Sequence, residues 1–347
     1  MPIASVGPNE GGSAPDFFYD SVDRTGSRAG PESLLPECIA EAKRMSAKKV
    51  TKSAPVQAAI LKALIRSFAL LPVRMAQSVG ALVGWLLWVT PNRLRRTTDG
   101  NLELCYPDLA PDERRRIARA SLLETGKTVA EVGWVWFSST EKLLERIESV
   151  EGEDHVRRAL ETGRGTLVLV PHLGNWEILS RYLQVNTRVL ALYRPPRIAE
   201  MDAFIRRSRE RFGAELVPAD RTGMRRIVEA LNKGDGLGVL PDQEPLKKHG
   251  VFAPFFGVPA LTMTLVARLT RKYGAVTVFG YCERTAKGSF RLRFQPSPEG
   301  LDSEDLVEAA TRLNGGVEEC VRRCPEQYIW SYRRFRTRPP SELHRDH

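Results

Sequence analysis

His172 and Glu177 stand five residues apart in Val170-Pro-His-Leu-Gly-Asn-Trp-Glu177, and an imidazole beside a carboxylate is the pair that general-base catalysis uses. One ring nitrogen hydrogen-bonds the carboxylate while the other faces a substrate hydroxyl. Two positions five apart on one helix diverge by about 140°, so the pair requires His172 to lie in a turn ahead of the helix that carries Glu177. The flanking residues supply that turn. Thr166 to Val170 reads as a buried strand, Pro171 ends it, Gly174 allows a tight turn and Asn175 can cap the helix. A core histidine with an unrelated surface glutamate is the bland alternative, and the turn chemistry argues against it.

Around this turn, short aliphatic runs (166–170, 189–192, 215–217, 237–240, 275–279) alternate with helical stretches near 175–186, 198–212, 221–233 and 261–273. Strand alternating with helix predicts an α/β fold, a mixed, mainly parallel sheet covered by helices. Chemistry in such sheets gathers beyond the strand ends. Arg164, just before the first run, and Asp242 with Gln243, just after the fourth, are therefore expected to line the same crevice as His172. Pro111-Asp-Glu-Arg opens a further helix to about Phe137, with Glu113 placed well for the helix dipole.

Residues 1–53 read as a mobile tail ending in a basic cluster (Lys43, Arg44, Lys48, Lys49, Lys52), and 341–347 as a second tail. Residues 54–96 are an apolar helical segment, densest over Val79–Val89, with Trp85, Trp88, Arg93, Arg95 and Arg96 at one end. The dense run is shorter than the roughly 20 residues of an unaided span, but its aromatic and cationic edge suits attachment at a membrane interface. The catalytic domain is expected over 97–340.

Composition narrows the function. Lys+Arg 52 against Asp+Glu 42 leaves a net charge of +10, which attracts anionic partners. Nucleic acid is excluded as the partner, since no recognition motif is present and the apolar segment would be unexplained. The N-terminus carries no signal-peptide pattern, the cysteines are expected to be reduced, and Cys320 and Cys324 lack a second pair at zinc spacing, so no metal or cofactor is expected. Thr125-Gly-Lys-Thr128 resembles the end of a phosphate loop, but Ser121 stands where the first glycine is needed and the pattern is helical.

His172-Leu-Gly-Asn-Trp-Glu177 resembles the catalytic block of the late acyltransferases of lipid A biosynthesis, membrane enzymes of the lysophospholipid/glycerolipid acyltransferase superfamily. Further blocks agree in order: Tyr193-Arg-Pro195, Leu240-Pro-Asp-Gln243, Gly250 to Gly257 read as a loop, Tyr328-Ile-Trp330 and Arg333-Arg-Phe335. The pattern differs at Arg197-Ile-Ala-Glu200 and at Tyr332. The resemblance implies transfer of a fatty acyl chain from a thioester, on acyl carrier protein or on acyl-CoA, to a hydroxyl of a lipid acceptor at the inner membrane, with the catalytic domain on the cytoplasmic side. His172 would take the proton and Glu177 fix its tautomer, without an acyl-enzyme. Backbone groups of Leu173, Gly174 and Asn175, with Arg194, are the oxyanion candidates, and Arg194 could equally clamp a phosphate. Arg334 belongs to a basic run that is either a solvated face or a binder of acceptor phosphates or headgroups. Another glycolipid or lysophospholipid as acceptor, and a non-catalytic membrane scaffold on the same fold, are the alternatives.

Overall fold

The computed structural model describes residues 54–339; both expected tails lie outside the described residues. Helices α1 (Pro55–Ala69), α2 (Val73–Val89), α3 (Arg93–Cys105) and α4 (Pro111–Phe137) come first, followed by the short α5 (Thr140–Leu144). Pro111 opens α4, with Asp112 and Glu113 in its first turn, where carboxylates complement the exposed N–H groups. The chain then alternates: β1 (Ile147–Glu151), α6 (Glu153–Glu161), β2 (Thr166–Leu169), α7 (Trp176–Asn186), β3 (Val189–Tyr193), α8 (Asp202–Glu210), β4 (Leu216–Pro218), α9 (Arg221–Asn232) and β5 (Gly236–Val239). A hairpin of β6 (Gly250–Phe255) and β7 (Val258–Met263) leads to α10 (Leu265–Tyr273), β8 (Val276–Arg284), β9 (Phe290–Pro296) and α11 (Leu306–Arg323).

The seven-stranded sheet runs β1-β9-β8-β2-β5-β3-β4. Its pairs are parallel except β8 with β9, which are antiparallel. β2 is central, with Leu167 opposite Leu237 of β5 and Thr277 of β8. Because successive strand residues face opposite sides, Leu167 and Leu169 enter the core that includes residues of α9, α10 and α11. Val168 and Val170 enter the core that includes residues of α4, α6 and α7. The fold is thus the expected α/β arrangement, with helices on both faces.

Two expectations are corrected. Gly250 to Gly257 is strand β6 and its turn, where Phe256 and Gly257 both take positive φ (49° and 77°), the backbone of a two-residue hairpin connection. Leu261 to Met263, read as the start of a helix, ends β7.

α2 lies along α4 at glycine-to-backbone distance. A methyl group built on Gly80 would stand 2.5 Å from the Gly126 carbonyl oxygen, and one on Gly84 2.4 Å from that of Leu122. Helices α1 and α2 carry exposed apolar residues, among them Ile60 and Leu64 on α1 and Leu82, Val83 and Leu86 on α2. No single helix is long and apolar enough to cross a membrane among the described residues; α2 and α3 together pass the length and composition test but bend by 78°. At the bend the Arg95 guanidinium lies 4.6 Å from the Trp88 ring centroid.

Candidate active site

β2 delivers His172 past its carboxyl end, and the next turn is fixed by what surrounds it. Gly174 has φ +60°, and a Cβ there would lie 1.9 Å from the Cys282 carbonyl oxygen, so no other residue fits without moving β8. Asn175 caps α7, its side-chain oxygen accepting from the Ile178 N–H at 3.2 Å. His172 is buried, and its Nδ1 lies 2.7 Å from Asp242 Oδ1. A carboxylate only accepts, so Nδ1 carries the proton and Nε2 keeps its lone pair. The Gln243 amide nitrogen donates to that Nε2 at 3.0 Å. Asp242 Oδ2 also accepts from the His172 backbone N–H at 2.9 Å, which clamps ring and backbone together. Burial pushes the Asp242 pKa up, but the adjacent imidazole and its hydrogen bonds outweigh this and hold it below the ordinary value.

The expected hydrogen bond from His172 to Glu177 is therefore made by Asp242 instead. Glu177 sits in the first turn of α7. Its Oε2 accepts from Trp136 Nε1 at 2.9 Å and from Arg209 Nε at 3.1 Å, while its Oε1 pairs with Arg209 NH2. Burial pushes its pKa up, but Arg209, Trp136 and, last in size, the charge of His172 outweigh this and hold it below the usual glutamate value.

The backbone oxyanion candidates are already engaged. The N–H of Leu173 donates to Pro171 at 2.7 Å, that of Gly174 to Gln327 at 3.0 Å and that of Asn175 to Cys282 at 2.9 Å. Arg194 is exposed just beyond β3, at the same carboxyl end of the parallel strands as His172. Arg164 precedes β2 and is exposed at the strand's opposite end, beside Gly274; it cannot line the crevice, because it enters the strand that His172 leaves. Arg334 is buried, donating to the Leu261 carbonyl at 2.6 Å and to Thr262 Oγ1 at 2.9 Å. It is a brace of β7, not a free clamp.

Sequence reasoning passed over Arg209 and Trp136, which come from α8 and α4 and have no local signal tying them to Glu177. It also passed over Glu131, fully buried on α4, which accepts from Asn175 Nδ2 (2.7 Å), Gln77 Nε2 (2.8 Å) and Arg284 Nε (2.7 Å). A glutamate in the middle of an apolar helical run was the available signal. His172 and Glu177 open on a cavity of about 330 Å³ whose other walls include Val170, Trp176, Leu183, Leu190 and Leu192. Among the described residues, no group of His, Cys, Asp and Glu side chains is arranged to hold a metal ion.

A buried histidine with an acidic partner stands at the edge of a largely apolar cavity. The chain is 31% identical over 274 residues to a lipid A biosynthesis palmitoleoyltransferase of Escherichia coli (strain K12), covering 78% of this chain and 88% of that protein. It is 29% identical over 271 residues to the lipid A biosynthesis lauroyltransferase of the same strain, with the same coverage. A lipid A biosynthesis acyltransferase of Haemophilus influenzae is 28% identical over 283 residues, covering 80% of this chain and 89% of the relative. Residues 46–337 match the family model for bacterial lipid A biosynthesis acyltransferases, and the chain belongs to that family of acyltransferase enzymes.

Proposed function

We propose that the protein transfers a fatty acyl chain from a thioester, carried by acyl carrier protein, to a hydroxyl of a lipid A precursor at the inner membrane, on its cytoplasmic side. The observation that carries the chemistry is the Asp242–His172–Gln243 chain, which leaves Nε2 as the basic atom beside an apolar cavity. The acceptor hydroxyl replaces the Gln243 amide at Nε2 and gives up its proton as its oxygen attacks the thioester carbonyl. Asp242 holds the tautomer and, with the nearby charge of Glu177, stabilises the imidazolium. Collapse of the tetrahedral intermediate breaks the carbon–sulfur bond, and the imidazolium returns the proton to the departing thiolate. The released Gln243 amide and Arg194 are the oxyanion donors in this reading, in place of the engaged backbone groups.

Direct transfer is supported by the thiols. Cys105, Cys282, Cys320 and Cys324 are all buried, and burial pushes each thiol up, Cys320 to about 12, far from nucleophilic at neutral pH. The apolar cavity suits the acyl chain, and the exposed apolar side of α1 and α2 suits monotopic membrane attachment.

The test is turnover of acyl carrier protein thioester with a lipid A precursor, read by mass spectrometry as one acyl increment on the acceptor. A donor-only burst with a covalent acyl adduct that passes to acceptor at a competent rate would replace direct transfer by a two-step path.

A further inference from the structure

A second concave site lies away from the catalytic cavity, between α3 and the chain following Trp330. Its volume is about 510 Å³, and four arginines, Arg96 from α3 with Arg333, Arg336 and Arg338, line it against the one carboxylate of Glu103. Arg334 is committed to the core, while its neighbours Arg333, Arg336 and Arg338 are exposed. Arg96, Arg333 and Arg338 form no ion pair among the described residues, and Arg336 is held from behind by the buried Glu244 at 3.0 Å. With Arg336 compensated by Glu244, three further guanidinium groups from segments more than two hundred residues apart gather around the single carboxylate of Glu103 and repel one another without an added counter-charge.

Three further observations say what the counter-charge is. Two walls are pinned together, since Asn101 Nδ2 donates to the carbonyls of Trp330 and Tyr332, each at 2.7 Å, so the cavity is preformed. Gly100 lines it, and a Cβ there would meet nothing within 4 Å, leaving room for a bulky group. Arg95, next to Arg96, stacks on Trp88 at the edge of the apolar α2, which puts the mouth at the depth of membrane headgroups if α2 rests on the lipid. Forked donors in a concave site suit a tetrahedral oxyanion.

We infer that this groove binds the phosphate of a membrane lipid through Arg96, Arg333 and Arg338. The inference rests on the membrane-lipid reading above and deepens it. The groove is joined to the catalytic centre: Glu244, which braces Arg336, follows Asp242 and Gln243 by two residues and one, its N–H donates to Tyr332 Oη at 3.0 Å, and the His172 carbonyl accepts from the Ile329 N–H at 3.2 Å. A phosphate seated there is anchored to the same segment that supports the base. Its source is either the acceptor's own phosphate or an anionic phospholipid.

The experiment compares the full-length protein with the Arg96→Gln/Arg333→Gln double variant, whose side chains are exposed. One arm measures acyl transfer to, and direct binding of, phosphorylated and phosphatase-treated lipid A precursor in neutral phosphatidylcholine nanodiscs. The other measures binding to phosphatidylcholine vesicles with and without phosphatidylglycerol. If the acceptor supplies the phosphate, the variant weakens binding and raises KM for the phosphorylated acceptor about tenfold or more, keeps kcat, and leaves the dephosphorylated acceptor unaffected. If the bilayer supplies it, only binding to phosphatidylglycerol vesicles falls by that factor. Unchanged values in both arms overturn the inference, as does a KM rise confined to a carrier-protein donor, which would make the groove a protein-docking patch. Wild-type protein that binds phosphorylated lipid or anionic vesicles through these arginines, yet moves no acyl chain, would sink the proposed function and leave the groove standing.

Discussion

Asp242, His172 and Gln243 are joined by hydrogen bonds, and in the proposed reaction they serve one proton transfer, so their substitutions should not add. His172→Ala is expected to lower kcat by roughly 10²–10⁴, Asp242→Asn by a similar factor because the amide favours the wrong tautomer, and the double variant little further; initial rates with the thioester donor check this. Rates that multiply across the pair would mean the two residues act independently. Glu177 makes a different prediction. Glu177→Gln removes a charge from a buried pair, a loss of about 3 kcal/mol or somewhat less, since the Arg209 side chain is 28% exposed. Its folded pKa lies below the ordinary 4.5, so this stabilisation is present above that value and disappears as pH falls through the folded one. Melting curves of wild type and variant should therefore differ most near neutrality and converge in acid. At this scale the sequence displayed the turn and its cap, because Pro171, Gly174 and Asn175 are local. It hid the choice between Glu177 and Asp242 as the partner of His172, which is settled by a residue seventy positions away that only the β2–β5 pairing brings alongside.

The elements tell a similar story of local legibility. Helix α4 was readable from Pro111 and its acidic first turn, and the phosphate-loop look-alike inside it has a packing role. Gly126 of Thr125-Gly-Lys-Thr128 is where α2 crosses, and a Cβ there would stand 2.1 Å from the Gly80 carbonyl oxygen. Gly126→Val should force the two helices apart and cost more than the roughly 1–3 kcal/mol of ordinary overpacking, because backbone and not a side chain must yield; thermal unfolding measures it. Gly100→Ala, built into open space, is the matched control and should leave stability the same or slightly raised. The hairpin of β6 and β7 was hidden by Pro254 and Gly257, which ordinarily speak against a strand. A two-stranded ribbon has two free edges, so Pro254, opposite Pro259, forfeits no hydrogen bond to a third strand.

Across the whole molecule, the proposed function assigns the apolar surface to the membrane and the cationic charge to acidic partners. Replacing Leu82, Trp85 and Leu86, all exposed on α2, by Gln should shift the protein from membrane to soluble fractions in a sedimentation assay while leaving its circular dichroism unchanged. Deleting α1 and α2 outright is a poorer test, since Gly80, Gly84 and Gln77 cover α4 and bond Glu131. The +10 net charge should make encounter with an acidic carrier protein salt-sensitive, with kcat/KM falling more than kcat as ionic strength rises; a flat curve with equal use of acyl-CoA would point to a neutral encounter. The strand order has a further consequence, in time. β1 pairs with β9, and central β2 with β5 and β8, so the sheet cannot close until the ribosome has made residues as late as 296. Helices α1 and α2 leave the ribosome some two hundred residues earlier, and their exposed apolar side can meet lipid or a chaperone before the sheet exists. Membrane arrival during synthesis would thus precede assembly of the catalytic turn, and nascent chains halted before β8 should already sediment with vesicles while remaining open to protease beyond residue 140.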